Sequence, residues 1–192
     1  MKPLSRISST PRSRNGCAVA LGFDARTDAI VRDVWDDLAE RGINDFMRRG
    51  GGMPHISLAV ADHLGPETEA VVHALARSHA PVPLRLSSVG VFAGDSGVVF
   101  LGPVMNAELL SVHADLHDRL LAAGYAGWPY YEPGEWVAHC TLTQEMPQER
   151  VARAIDTARS IVEFPLVGTL ETIHVVEFQP PKVRYFTTLG VR

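Results

Sequence analysis

Cysteine is nearly absent: among 192 residues there are two, Cys17 and Cys140. Two isolated thiols make neither a disulfide framework nor a cysteine-built metal cluster, and a reducing cytoplasm suits them. Long apolar runs are missing too. The longest, such as Gly97-Val98-Val99-Phe100-Leu101, are strand-sized, far below the ~20 residues that cross a bilayer as a helix, so no membrane partner is expected. Positive charge is scarce where a polyanion would need it. The chain has 18 Lys and Arg against 22 Asp and Glu, and four of the 18 (Lys2, Arg6, Arg12, Arg14) fall in the first sixteen residues, which contain no acid. The other 14 bases against 22 acids leave residues 17–192 at about −8. That balance argues against gripping long duplex nucleic acid, which takes many Lys and Arg contacts; a nucleotide or a short RNA end is compatible with it.

What is present is a 46% hydrophobic fraction on a chain long enough to bury roughly 70% of its unfolded surface. Residues 1–16, basic and rich in serine, read as a disordered tail ahead of one two-lobed domain over residues 17–192. The tail overlaps in composition with transit peptides, but Pro3 and Pro11 interrupt an amphipathic helix. Ala18 to Phe23 reads as a strand and Thr27 to Arg41 as a helix, with Ile30, Val34, Trp35 and Leu38 at helical spacing. Arg48, Arg49 and Gly50-Gly51-Gly52 form a flexible loop. Glu67 to His79 is helical, Val82 to Phe92 and Val98 to Leu101 are strands, and Gly94 to Gly97 turns between them. A helix from Ala107 to Ala122, an aromatic loop (Trp128, Tyr130, Tyr131, Trp136), a helix near Gln148 to Ser160 and strands at Leu166 to Phe178 and Val183 to Leu189 follow. The fold class is α+β, with helices backing two curved antiparallel sheets.

Two short runs share one pattern: His55-Ile56-Ser57-Leu58 and His139-Cys140-Thr141-Leu142. Side chains alternate faces along a strand, so each histidine shares a face with the hydroxyl two residues on, while the apolar partners enter a core. The lag of 84 residues between the histidines recurs, pairing Pro81 with Pro165, Leu86 with Leu170, Val89 with Ile173 and Ala70 with Ala154. A duplicated half that cannot bury its apolar face alone packs on its twin, which predicts two lobes and a central groove.

Two His-x-Ser/Thr strands about 80 residues apart, each followed by a helix and then strands, resemble the 2H phosphoesterase superfamily, closest to its 2'-5' RNA ligase and cyclic phosphodiesterase branch. The resemblance covers nearly the whole chain after the tail. It implies a bilobal fold, action on 2',3'-cyclic phosphates or 2'-5' linkages, and no required cofactor or metal. The residues lead to the same chemistry. Opening a cyclic phosphodiester needs a base for the attacking water and an acid for the departing ribose oxygen, and imidazole does either near neutrality. His55 and His139 are the expected catalytic pair, exchanging roles when the reaction reverses to ligation. Ser57 and Thr141 would donate to the non-bridging oxygens, and Tyr185, at the repeat position of Leu101, is a further candidate for substrate binding. Many members of the RNA ligase branch carry an arginine five residues after the second histidine; here that residue is Gln144. Arg48, Arg49, Lys182 and Arg184 could supply the missing charge if they face the groove.

Other readings compete. A nucleotide-binding module of the same fold, without turnover, is the alternative function, as in the related domain of some kinase-anchoring proteins. The loop from Trp128 to Trp136 could stack a base or anchor to the core. His113 and His117, one helical turn apart, have a spacing zinc can use but no third ligand. His63, His73, His79 and His174 show no paired pattern. Ser96 and His139 are superficially protease-like, but a serine ahead of its histidine in an alternating helix-strand chain does not fit two β-barrels. A monomer is expected.

Overall fold

The structure, a computed structural model, describes residues 16–178 and 181–190; apart from Gly16, the tail expected over residues 1–16 lies outside them. Within the described residues seven strands and five α-helices follow in the order β1 (Cys17–Phe23), α1 (Ala25–Glu40), α2 (Phe46–Gly50), β2 (His55–Ala61), α3 (Glu67–Ser78), β3 (Val82–Phe92), β4 (Val98–Pro103), α4 (Ala107–Ala122), β5 (Cys140–Thr141), α5 (Val151–Ile161), β6 (Leu166–Phe178) and β7 (Pro181–Thr188).

Local chemistry explains where the two long helices begin. The Asp24 carboxylate accepts from Thr27 N–H at 2.9 Å and from Thr169 N–H in β6 at 2.7 Å. Asn106 caps α4 in the same manner, accepting from Leu109 N–H at 2.8 Å while its amide donates to the Pro83 carbonyl at 2.8 Å. Such a cap is worth about 1 kcal/mol, and each one here also ties its helix to a strand. Val31, Val34, Trp35 and Leu38 on α1 and Leu109, Val112, Leu116 and Leu120 on α4 are buried, the apolar stripes their spacing predicts. One element departs from expectation. Part of the anticipated glycine-rich loop is the short helix α2, which Gly51 closes in the left-handed region at φ +64°.

All strand pairs are antiparallel, in the order β2-β1-β6-β3-β4-β5, with β7 also on β6. The two expected sheets are therefore two leaves of one hydrogen-bonded network. β6 is long enough to serve both: residues 166–170 pair with β3, 170–177 with β1 and 172–178 with β7. Exchanging β1 with β4, β2 with β5 and β3 with β6 converts the strand order into its own reverse. The terminal strands β2 and β5 nevertheless touch, so the sheet curls until its two ends meet. One face packs under the helices through Val19, Leu21, Ile56, Leu101 and Ile173, all buried. Ala18, Ala20 and Val60 are buried as well but lie outside that core, on the other face.

Candidate functional site

The first motif opens β2 as the alternation predicts. His55 stands opposite Gly22 and Ser57 opposite Ala20, while Ile56 and Leu58 enter the core. The second motif is shorter than expected. β5 comprises only Cys140–Thr141, with His139 just before it, because the N–H groups of both Leu142 and Thr143 turn to the Val99 carbonyl, at 2.8 and 3.1 Å. The face assignment survives: Cys140 and Leu142 are core residues, and Thr141 lies opposite Phe100. Burial pushes the Cys140 thiol up to about 12, against a hydrogen bond from the His55 backbone. That bond joins β2 to β5, and the protonated thiol is no nucleophile.

Two indoles complete the junction. Trp35 on α1 donates from Nε1 to the Thr141 carbonyl at 3.1 Å, and Trp136, just ahead of β5, donates to the Ser57 carbonyl at 3.0 Å. Each motif strand is a sheet edge with carbonyls to satisfy, and each receives an indole from the opposite lobe. Trp136 stacks on His113 at 4.0 Å, His113 Nε2 donates to the Tyr131 carbonyl at 2.8 Å, and His117 Nε2 to the Leu58 carbonyl at 3.1 Å. Trp128 Nε1 donates to Asp62 at 2.9 Å. The aromatic loop is thus anchored to β2 and α4, and both histidines of the zinc-like spacing are committed to backbone carbonyls.

The motif imidazoles are held alike. Nδ1 of His55 lies 2.7 Å from the Met53 carbonyl and Nδ1 of His139 lies 2.6 Å from the Val137 carbonyl, in each case two residues back. A carbonyl only accepts, so Nδ1 carries the hydrogen and the neutral ring leaves Nε2 bare. Burial lowers the pKa of both. The carbonyl contacts oppose that shift, and charge on His55 lowers His139 further, which puts the two rings within electrostatic reach. Among the described residues neither Nε2 has a partner, nor has the Ser57 or Thr141 hydroxyl. Thr143 contrasts with them: its hydroxyl is clasped between Val99 N–H and the Gly97 carbonyl.

Sequence reasoning missed His174. It lies across Ala20 from Ser57, and Thr172 lies across Gly22 from His55. His174 Nε2 and Thr172 Oγ1 are 2.7 Å apart, and burial and then the charge of His55 push the imidazole down to about 4. The signal was present in reverse: Thr172-Ile173-His174 spells the hydroxyl-x-histidine spacing backwards. The surroundings of His139 are apolar instead, with the Phe92 and Phe100 rings edge-on at 4.7 and 5.6 Å.

Tyr185 does not join this group. It pairs with core residue Val175, on the face opposite the one His174 shares with Phe186, and packs partly against the core. Its repeat counterpart Leu101 is a core residue as well. Three of the four expected substitutes for the missing arginine are engaged elsewhere. Arg48 pairs with Asp36 at 3.2 Å, Arg49 with Asp45 at 3.5 Å, and Arg184 with Glu177 at 3.6 Å and the Leu64 carbonyl at 2.7 Å; Lys182 lies opposite Glu177.

Comparison with known proteins agrees with this fold. TT0787 of Thermus thermophilus superposes with a TM-score of 0.60 at 17% identity, over 91% of this chain and 98% of that one. E. coli LigT, solved with 3'-AMP, gives 0.60 at 14% identity, over 92% of this chain and 99% of that one. No curated protein matches in sequence. The model of the 2'-5' RNA ligase superfamily matches residues 28–180, a span that holds both histidine motifs and β1's partner strands, and the chain belongs to that superfamily of 2H phosphoesterases.

Proposed function

We propose that the protein is a phosphodiesterase acting on 2',3'-cyclic phosphates or 2'-5' linked nucleotide ends, with His55 and His139 as its acid and base. One observation carries this reading: two imidazoles at the starts of touching strands, each fixed through Nδ1 to the carbonyl two residues back, each with an unprotonated Nε2. A structural histidine needs no such twin. One Nε2 takes the proton of the attacking water while the other, protonated, delivers its proton to the departing ribose oxygen, leaving a 2'-phosphate when O3' departs. Run backwards with a ribose hydroxyl as nucleophile, the same exchange forms the bond. Ser57 and Thr141 donate to the non-bridging oxygens, where charge is held during transfer. Acid, base and donors all come from the chain, so the reaction proposed here calls for no metal. Superfamily membership and the nucleotide complex solved for LigT support a nucleotide or RNA-end substrate.

The test is hydrolysis of the four 2',3'-cyclic nucleotides by wild type, His55→Ala and His139→Ala, with and without EDTA. We expect chelator-insensitive formation of 2'-monophosphates that falls about 10²- to 10⁴-fold in either variant, with nucleotide binding retained. Binding by the wild type without turnover of any of the four would replace the enzyme with a nucleotide-binding module.

A further inference from the structure

The row of side chains that starts at Ser57 does not stop at His174. In register it runs Ser57, Ala20, His174, Phe186, across β2, β1, β6 and β7 on one face. Its middle is low. A Cβ added to Gly22 would lie 2.5 Å from Thr172 Oγ1 and 2.8 Å from both His174 Nε2 and Met53 Cε, so these three side chains occupy the space over Gly22, and Ala20 beside it is a buried methyl. The far end is aromatic. Phe186 stacks on His174 with ring centroids 5.7 Å apart and planes at 15°. One partner is buried, with His174 8% exposed, and the other is open, with Phe186 64% exposed. Burying a phenylalanine is strongly favourable, and Phe186 forgoes most of that gain while being held flat by the ring beneath. Beside the stack is a shallow depression, open to solvent, of about 460 Å³ lined by His174, Val183, Arg184, Tyr185 and Phe186.

Resting on the phosphodiesterase reading above, we propose that Phe186, backed by His174, is a nucleobase platform, and that the substrate is a small nucleoside phosphodiester with one base laid on it. A phosphate held at the histidine end sends its nucleoside along this row toward Phe186, the open ring at its far end. Charge argues for a short substrate. Arg184, the cation lining the depression, is already engaged by Glu177 and the Leu64 carbonyl, so the platform end meets a base and not a further phosphate.

The test compares adenosine 2',3'-cyclic phosphate with glycerol 1,2-cyclic phosphate, which has the reacting ring and no base, for wild type, Phe186→Ala and Phe186→Trp. Stacking a base on an aromatic ring is worth about 1–3 kcal/mol, so the kcat/KM preference for the nucleotide should fall roughly 5- to 150-fold in Phe186→Ala. The loss should sit in KM, and tryptophan should restore it. An unchanged preference in Phe186→Ala overturns the platform, as does equal loss on both substrates. A calorimetric titration with adenosine 2'-monophosphate separates this idea from the catalytic one. If wild type hydrolyses neither diester, the phosphodiesterase reading falls while the platform is still decided by whether Phe186→Ala weakens the nucleotide's binding or leaves it unchanged.

Discussion

At the scale of single residues, the paired histidines make a prediction about pH. Burial holds both imidazoles below their ordinary value of about 6.5, and charge on His55 further discourages charge on His139. The kcat/KM profile of wild type should be a bell centred on the acid side of 6.5, its limbs belonging to the pair and not to either ring. An alkaline limb well above pH 7 would contradict the assignment. His55, His139 and their hydroxyls were legible because one spacing occurs twice in the same direction. His174 was not, because its hydroxyl precedes it and its place in the row is set by cross-strand register, which no local pattern encodes. Tyr185 stands off that row, on the opposite face of β7, and lines the depression beside Phe186.

At the scale of elements, each indole bridge can be removed while an aromatic ring is kept. Trp35→Phe and Trp136→Phe each leave one edge carbonyl without its donor, which should cost about 1–3 kcal/mol in urea unfolding. Amide exchange should quicken in β2 for Trp136→Phe and in β5 for Trp35→Phe; unchanged stability and exchange in both variants would show that the bridges carry nothing. Element identity was largely readable from periodicity. β3, α4 and β6 have the predicted limits, since an amphipathic stripe or an alternating run between turn residues leaves little choice. The short pieces were not readable. β5 ends where a side-chain clasp by Thr143 diverts the backbone, and α2 forms in a glycine-rich stretch that has no apolar stripe of its own. Trp35 was placed correctly on its helix face, but its bond to Thr141 joins residues 106 apart, a contact beyond any window.

For the whole molecule, buried neutral imidazoles set the response to acid. His113 and His174 are both pushed down to about 4 by burial first of all. The unfolded chain takes up these protons near pH 6.5, so the stability they protect is complete above that value and is lost as pH falls toward 4. Full protonation of each should cost on the order of 3 kcal/mol. The urea midpoint should therefore drop between pH 7 and pH 4, and His113→Gln, which keeps a donor for the Tyr131 carbonyl, should flatten the drop; an identical slope in the variant would remove His113 from the account. The helix-backed antiparallel plan was legible from the order of periodic segments, whereas the sharing of β6 between both leaves was not, because a lag reports which segments are alike and says nothing of which strand each one pairs with. That sharing has a consequence for dissection. β3 pairs with β4 and β6, and β6 pairs with β1, so a chain severed in the Gly94 to Gly97 turn gives one piece in which β3 has lost both neighbours and another in which β6 has lost β1 and β3. Neither piece closes a core alone, and one supplies His55 while the other supplies His139. Such halves would behave as a split reporter, silent apart and restored on co-expression.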